Sequence, residues 1–276
     1  MSWIEVALEN ELPIRLSFFF GVFTVISVWE VISPRRKLTL PKSGRWLNNL
    51  GIVFLNSLVI RLLFPAAAVG VAVVAEQQGW GVLRYYQITA PLALIIAVIA
   101  MDLIIYLQHI MVHAIPLLWR LHRVHHADLD YDVTTGARFH TLEIIFSMLI
   151  KFATIMLLGP SVIAVIIFEI MLNATAMFNH GNIYIPRKFD RILRLLIVTP
   201  DMHRVHHSVH EPLINSNFGF SLPWWDRMFG TYIAQPLESH EEMTIGLNEF
   251  RDPKQVERLP GMLMMPFESK NRYLSN

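Results

Sequence analysis

Long apolar segments constrain this chain more than any other feature. They run at about 14–32, 47–75, 88–113, 142–158 and 162–179, with few charges inside them. A bilayer core about 30 Å thick needs roughly 20 mostly apolar residues per helical crossing. Only helices and closed barrels satisfy their backbone hydrogen bonds there. The expected fold is therefore all-α, a polytopic helical membrane protein with about four to five spans. Hydrophobic residues make up 54% of the 276 and charged residues 16%, with mean hydropathy +0.43. That balance is too apolar for a soluble domain of this size.

The segments form a single membrane-embedded domain over 1–276. The second is interrupted by Arg61 and Pro65, and Gly79 and Gly81 mark the turn before the third. The fourth and fifth read as a tight hairpin around Gly159-Pro160, although Lys151 in mid-segment leaves partial insertion open. Between and after them, 114–141 and 180–276 are polar and make a helical cap. Within the cap, Phe189, Ile192, Leu193 and Leu196 recur at helical spacing opposite Arg187, Lys188, Arg191 and Arg194, the pattern of a helix lying in the interface.

Arginine and lysine concentrate in the loops at 34–45, 117–138 and 187–194, whereas 76–87 has only Arg84. The positive-inside rule then places the N-terminus outside and the cap in the cytoplasm. Residues Met1 to Arg15 carry Glu5, Glu9 and Glu11 and lack a basic leader region, so the first apolar segment is expected to remain in the mature protein. The net charge of +1, spread over short loops, gives no sign of nucleic-acid binding, and no nucleic acid is expected as a partner. The absence of cysteine excludes disulfides, thiolate metal ligands, cysteine-held iron–sulfur clusters and thiolate haem.

The polar segments carry the chemistry. His109 and His113 are four apart at the end of the third segment. His122, His125 and His126 form the pentad HRVHH, which His203, His206 and His207 repeat 81 residues later. On a helix, positions i, i+3 and i+4 share a face. Imidazoles packed together repel one another when protonated, and metal binding resolves this by taking the neutral form. Eight ligands exceed one ion's needs, so two metals with about four imidazoles each fit the count. Imidazole suits iron, zinc and copper alike. His180, where the last span meets the cap, is a ninth candidate. His140 is a candidate supporting residue, and His210 and His240 read as ordinary surface or hydrogen-bonded histidines.

Asp102, Tyr106, His109 and His113 lie on one helical stripe, and Glu169, Asn173 and His180 on another. Ionisable residues within a membrane are costly and usually face a functional interior. Asp102, Glu169 and Asn173 are thus candidates to orient the metal-binding rings from behind, as carboxylates commonly do. The rival role for the two carboxylates is pairing with Arg61. Ala66, Ala67, Ala68, Gly70 and Ala72 fit either a lipid tunnel or close helix packing, and Trp224 and Trp225 fit interfacial anchors.

The histidine series on a polytopic chain, with LWRLHRVHHADLDYDVTTGARFH, TPDMHRVHHS and the Asn215–Tyr232 segment NSNFGFSLPWWDRMFGTY, resembles the fatty acid hydroxylase and sterol desaturase superfamily over about 95–235. The resemblance implies a membrane di-iron oxygenase whose metal ligands would be His109, His113, His122, His125, His126, His203, His206 and His207. His180, in FNHGN, resembles that family's isolated additional ligand. The Glu plus Glu-x-x-His pattern of soluble di-iron proteins is absent.

The implied reaction is O2-dependent attack on an unactivated C–H bond of a fatty acyl, sterol or ether lipid. It requires two iron ions, for which zinc can substitute in purified protein without supporting the chemistry. Hydroxylation is the leading outcome, with desaturation or ether-lipid cleavage as variants. A membrane metal transporter or metal-binding protein is the alternative of another class, disfavoured because the histidines gather on one side. With no dinucleotide fingerprint, electrons are expected from a separate ferredoxin, b-type cytochrome or reductase docking on the basic face.

Overall fold

The computed structural model describes residues 10–269, and Glu5 and Glu9 lie outside them. In chain order the helices are α1 (Glu11–Ile32), α2 (Lys42–Leu63), α3 (Ala67–Gln77), a single turn at Val82–Tyr85, α4 (Ala90–Ala114), α5 (Pro116–His126), α6 (Thr141–Leu158), α7 (Val162–Asn179), α8 (Arg187–Leu193), α9 (Pro200–His206) and α10 (Trp224–Met228), followed by short turns. Among the described residues the only extended pairings are isolated bridges such as Pro34 with Ile183. Among the described residues, five segments are long and apolar enough to cross a membrane: α1, the Lys42–Tyr85 stretch, α4, α6 and α7. The protein is a polytopic helical membrane protein.

The second segment is not the continuous apolar stretch that 47–75 suggests. α2 begins at Lys42, and the helix breaks after Leu63 because Pro65 lacks an N–H and pushes Phe64 out of the helical region, to φ −133° and ψ 72°. The first turns of α2 are buried in the cap, through Arg45 and Asn49. Farther along, Asn56 donates to the Phe139 carbonyl at 2.9 Å, and beyond the break Ala68, Ala72 and Ala75 are buried in the core shared with Val165 and Phe168. These small residues serve helix packing. None of the five proposed tunnel residues lines the cavity that has His109 and His122 in its wall.

α6 and α7 form the expected hairpin, punctuated by the sequence. The His140 ring caps α6 by accepting from the Leu142 N–H, Gly159 ends it in the left-handed region, and Ser161 caps α7 by accepting from the Ala164 N–H. Each helix is 18 residues, or about 27 Å. The mid-segment Lys151 is tolerated because its ammonium pairs with Glu169 of α7 at 2.7 Å. Arg15 of α1 joins the same carboxylate at 3.1 Å. α1 otherwise turns Phe18, Phe20, Val25 and Val31 outward, as a lipid-facing helix would.

The cap is tied to the bundle by buried charge. Arg45 donates to Asp128 at 2.9 Å and Asp132 at 2.7 Å, and Arg138 pairs with Glu257 at 2.8 Å. The guanidinium groups of Arg45 and Arg138 hold the buried Asp128 carboxyl well below the usual carboxylate range. Arg35, Arg36 and Arg45, read from sequence as loop charges, are buried rather than solvated. On α8 and the following turn, Phe189, Ile192 and Leu196 of the expected apolar face are exposed, but Leu193 packs partly buried against the core that holds Ile26 and Ile183, and Arg194 is buried beside Asp190.

Candidate metal centre

Local chain geometry brings the histidines together. Pro116 stops α4 and starts α5, so the chain folds back directly after His113. One-turn spacing puts His109 and His113 on the inner face of α4, against His122 and His126 of α5. Thr199 caps α9 by accepting from the Met202 N–H, and Pro200 occupies its first position. His203 and His206 therefore project from one short, well-bounded helix, and His207 ends it as the C-cap. His180 ends α7.

All nine histidines are buried, and they sort into two groups. His109, His113, His122, His126 and His206 form one; His125, His180, His203 and His207 form the other. Within each group the ligand atoms lie within 4.8 Å of one another. Each pentad is shared between the groups in a reciprocal way. The first sends its i and i+4 rings to the five-membered group and its i+3 ring to the other; the second does the reverse. The groups abut, with His126 and His207 stacked at 4.5 Å between ring centroids.

The hydrogen bonds fix which nitrogen faces inward. His109 Nδ1 donates to the Phe218 carbonyl at 2.8 Å, His206 Nδ1 to Ser216 at 2.7 Å and His180 Nδ1 to Ala176 at 2.8 Å. A carbonyl only accepts, so these rings carry their proton on Nδ1 and turn a bare Nε2 inward. Yet the Nε2 atoms of His109 and His206, both fixed in this way, stand 3.0 Å apart. Lone pairs at that separation repel unless a cation lies between them. Burial and neighbouring imidazoles push His125, His126, His203, His206 and His207 well below the ordinary histidine pKa. Burial brings His180 down to about 3. The donor set thus fits metal ions taken up by neutral imidazoles.

The supporting residues differ from those read off the helical stripes. His122 Nδ1 is held by Glu143 Oε1 of α6 at 2.6 Å, a partner that sequence reasoning missed. Its signal was a carboxylate just inside an apolar segment. Asp102 touches no histidine of the cluster; it accepts from Trp225 Nε1 at 2.9 Å and the Leu222 N–H at 3.2 Å. It thereby anchors the loop that presents Ser216 and Phe218. Asp226 accepts from the Phe218 and Gly219 N–H groups, both at 2.8 Å, for the same end. Trp225 is accordingly buried, whereas Trp224 stays exposed.

Glu169 is spent on Lys151 and Arg15, and neither it nor Asp102 pairs with Arg61. Asn173 donates to the Glu169 backbone carbonyl, a local helix contact, and His140 serves as the cap of α6. His240 is buried and His210 partly exposed against Glu238, both outside the cluster. A cavity of about 320 Å³ opens beside the cluster, with His109 and His122 in its wall.

The chain is 28% identical over 216 residues to an alkylglycerol monooxygenase of Xenopus tropicalis, covering 76% of this chain and 46% of the relative. It is 28% identical over 163 residues to the Homo sapiens alkylglycerol monooxygenase, covering 57% and 34%. Against the ornithine lipid hydroxylase OlsE of Rhizobium tropici it is 24% identical over 262 residues, covering 92% and 76%. It therefore spans less than half the length of those two alkylglycerol monooxygenases. No solved structure matches the chain. The model of the fatty acid hydroxylase family matches residues 94–231, a span that holds all nine histidines. By that match, which reaches from α4 through α10, the chain belongs to the fatty acid hydroxylase family.

Proposed function

We propose that this protein is a membrane-bound, O2-dependent lipid hydroxylase with two iron ions, one in each histidine group. The carrying observation is the convergence of nine buried imidazoles beside a cavity lined by two of them. The names of the relatives, lipid monooxygenases and a lipid hydroxylase, support the reaction class.

Imidazole suits iron and zinc alike, and the reaction chooses iron, because zinc has no redox chemistry of its own. When bound, the iron would supply the redox chemistry that activates O2. The protein's part is to hold the rings neutral, keep water out and bring a lipid C–H bond to His109 and His122. Glu143 fixes the His122 ring by accepting its Nδ1 proton. The same histidines gathered in one place, rather than along a path through the spans, count against a transporter.

Electrons would come from a separate ferredoxin, b-type cytochrome or reductase; turnover by the purified protein with a nicotinamide cofactor alone would contradict this. The exposed Arg187, Lys188 and Arg191 support a cytoplasmic cap, with the N-terminal end of α1 outside. A single cysteine introduced by Lys188→Cys should then label only from the cytoplasmic side. The reaction itself is tested by supplying reduced donor, isotopically labelled O2 and a membrane lipid extract. One labelled oxygen atom in a lipid product is expected. Lipid oxidation that carries oxygen from water instead would exclude the reading.

A further inference from the structure

The cavity beside the histidines is mainly apolar, with charged and polar side chains at two places in its wall. From His122 and Glu143 it extends to Lys151, which lies two turns farther along α6, about 12 Å away. Glu169 and Arg15 complete that far wall. His122 pairs with Glu143, and Glu169 with Lys151 and Arg15, but a plain hydrocarbon occupant would leave the remaining buried acceptors of the wall unpaired, a costly state.

Three side chains of the wall have hydrogen-bonding capacity to spare. Glu143 Oε2 and Gln108 Oε1 are buried with no hydrogen-bond partner among the described residues, and both side chains line the cavity. Lys151 Nζ has three donors and directs one to Glu169. The charges also alternate. Arg15 bridges Glu11 at 2.6 Å and Glu169 at 3.1 Å, and Glu169 holds Lys151. A carboxylate or phosphate entering here would meet Glu143 and Glu169, and an ammonium group would meet Lys151 and Arg15. A hydroxyl donates to the first set and accepts from the second without either penalty.

We propose that this cavity recognises a neutral, hydroxyl-bearing polar group of the lipid, with Lys151 donating to it and Gln108 and Glu143 accepting from it. The volume agrees. About 320 Å³ is at the small end for a ligand site, enough for a polar group and the carbons next to it. The rest of the tail stays in the bilayer. Oxidation then falls near the polar group rather than far along an alkyl chain. As a statement about the substrate, this rests on the lipid hydroxylase reading above. Lys151 and Gln108 are specificity-determining residues, and Glu169 and Arg15 position Lys151.

The test is binding to the metal-loaded, detergent-solubilised protein without O2, using 1-O-hexadecylglycerol and hexadecanoate as probes. The glycerol ether should bind about tenfold tighter or more. Gln108→Leu and Lys151→Met should each erase that preference while leaving hexadecanoate binding unchanged, and Lys151→Arg should restore it. Equal binding of the two probes, or variants that weaken both alike, would overturn the proposal. Gln108 has no part in the ion network, so its variant decides the matter should Lys151→Met not fold. Because no turnover is needed, selective binding without oxidation would sink the hydroxylase reading alone. Lipid oxidation with a preference for hexadecanoate would sink this inference alone.

Discussion

His122 and Glu143 are joined across two helices by a 2.6 Å contact between Nδ1 and Oε1, and this pair fixes one ring of the five-histidine group from behind. The carboxylate makes His122 a stronger ligand and sets its tautomer. Glu143→Gln should therefore lower metal affinity at that group by about 10–100-fold, while the four-histidine group keeps its ion. Chelator competition with metal counting reads this directly; unchanged retention of both ions would show that the carboxylate has no such role.

The reciprocal sharing of the pentads makes a sharper statement. His122→Ala and His206→Ala, in different pentads, should deplete the same metal, and His125→Ala and His203→Ala the other. Metal content and iron spectra of the four variants should sort into these two pairs. Sorting by pentad instead would contradict the grouping.

Gly136 packs its backbone against α7 beside the site. A Cβ there would stand 2.4 Å from the Ala176 carbonyl oxygen and 3.0 Å from His180 Nδ1. Gly136→Ala must displace α7 or the loop, at a cost of roughly 1–3 kcal/mol, and should loosen the four-histidine group. A lower melting temperature with selective metal loss is expected. Wild-type values for both would count against this packing.

Arg45 is the cation that two buried aspartates share. Arg45→Leu leaves Asp132 without its cation and Asp128 with only the more distant Arg138, and breaking a buried pair from one side costs about 3–5 kcal/mol. The variant should melt well below wild type in the same detergent. Replacing all three residues with apolar ones should recover part of the loss, and a single variant as stable as wild type would refute the network's role.

Acid should destabilise the metal-free protein. Burial and mutual repulsion keep His125, His126, His203, His206 and His207 neutral in the folded state, below the ordinary value of 6.5. The unfolded chain takes up protons as pH falls through about 6.5, and the folded chain does not. The folded state is thus relatively most stable above that pH. It loses about 1.4 kcal/mol per pH unit below it for each imidazole it keeps neutral. Melting temperatures should fall progressively from pH 7 toward 5; a flat profile would contradict the burial of neutral rings.

Much of this was legible in sequence, and the remainder has physical reasons for being hidden. The apolar segments and the HRVHH repeats required spans and a shared metal site, because helical spacing fixes which face a side chain occupies. Spacing does not say which ring faces which, so the exchange of pentad members between groups emerged only from the packing of α4, α5 and α9. Asp102 and Glu169 lie on the expected inner faces yet meet Trp225 and Lys151, partners that come from other elements. The rings of His109, His180 and His206 are oriented by backbone carbonyls, which no residue identity announces. Glu143 was overlooked because it sits at the start of a helix, where a carboxylate also suits the helix dipole.

The most direct test of two adjoining metal sites is the metal content of anaerobically purified, iron-supplied protein. One tightly held iron for each histidine group is expected, two per chain, both resisting exchange during dialysis. A single ion, or ions lost readily on dialysis, would contradict it.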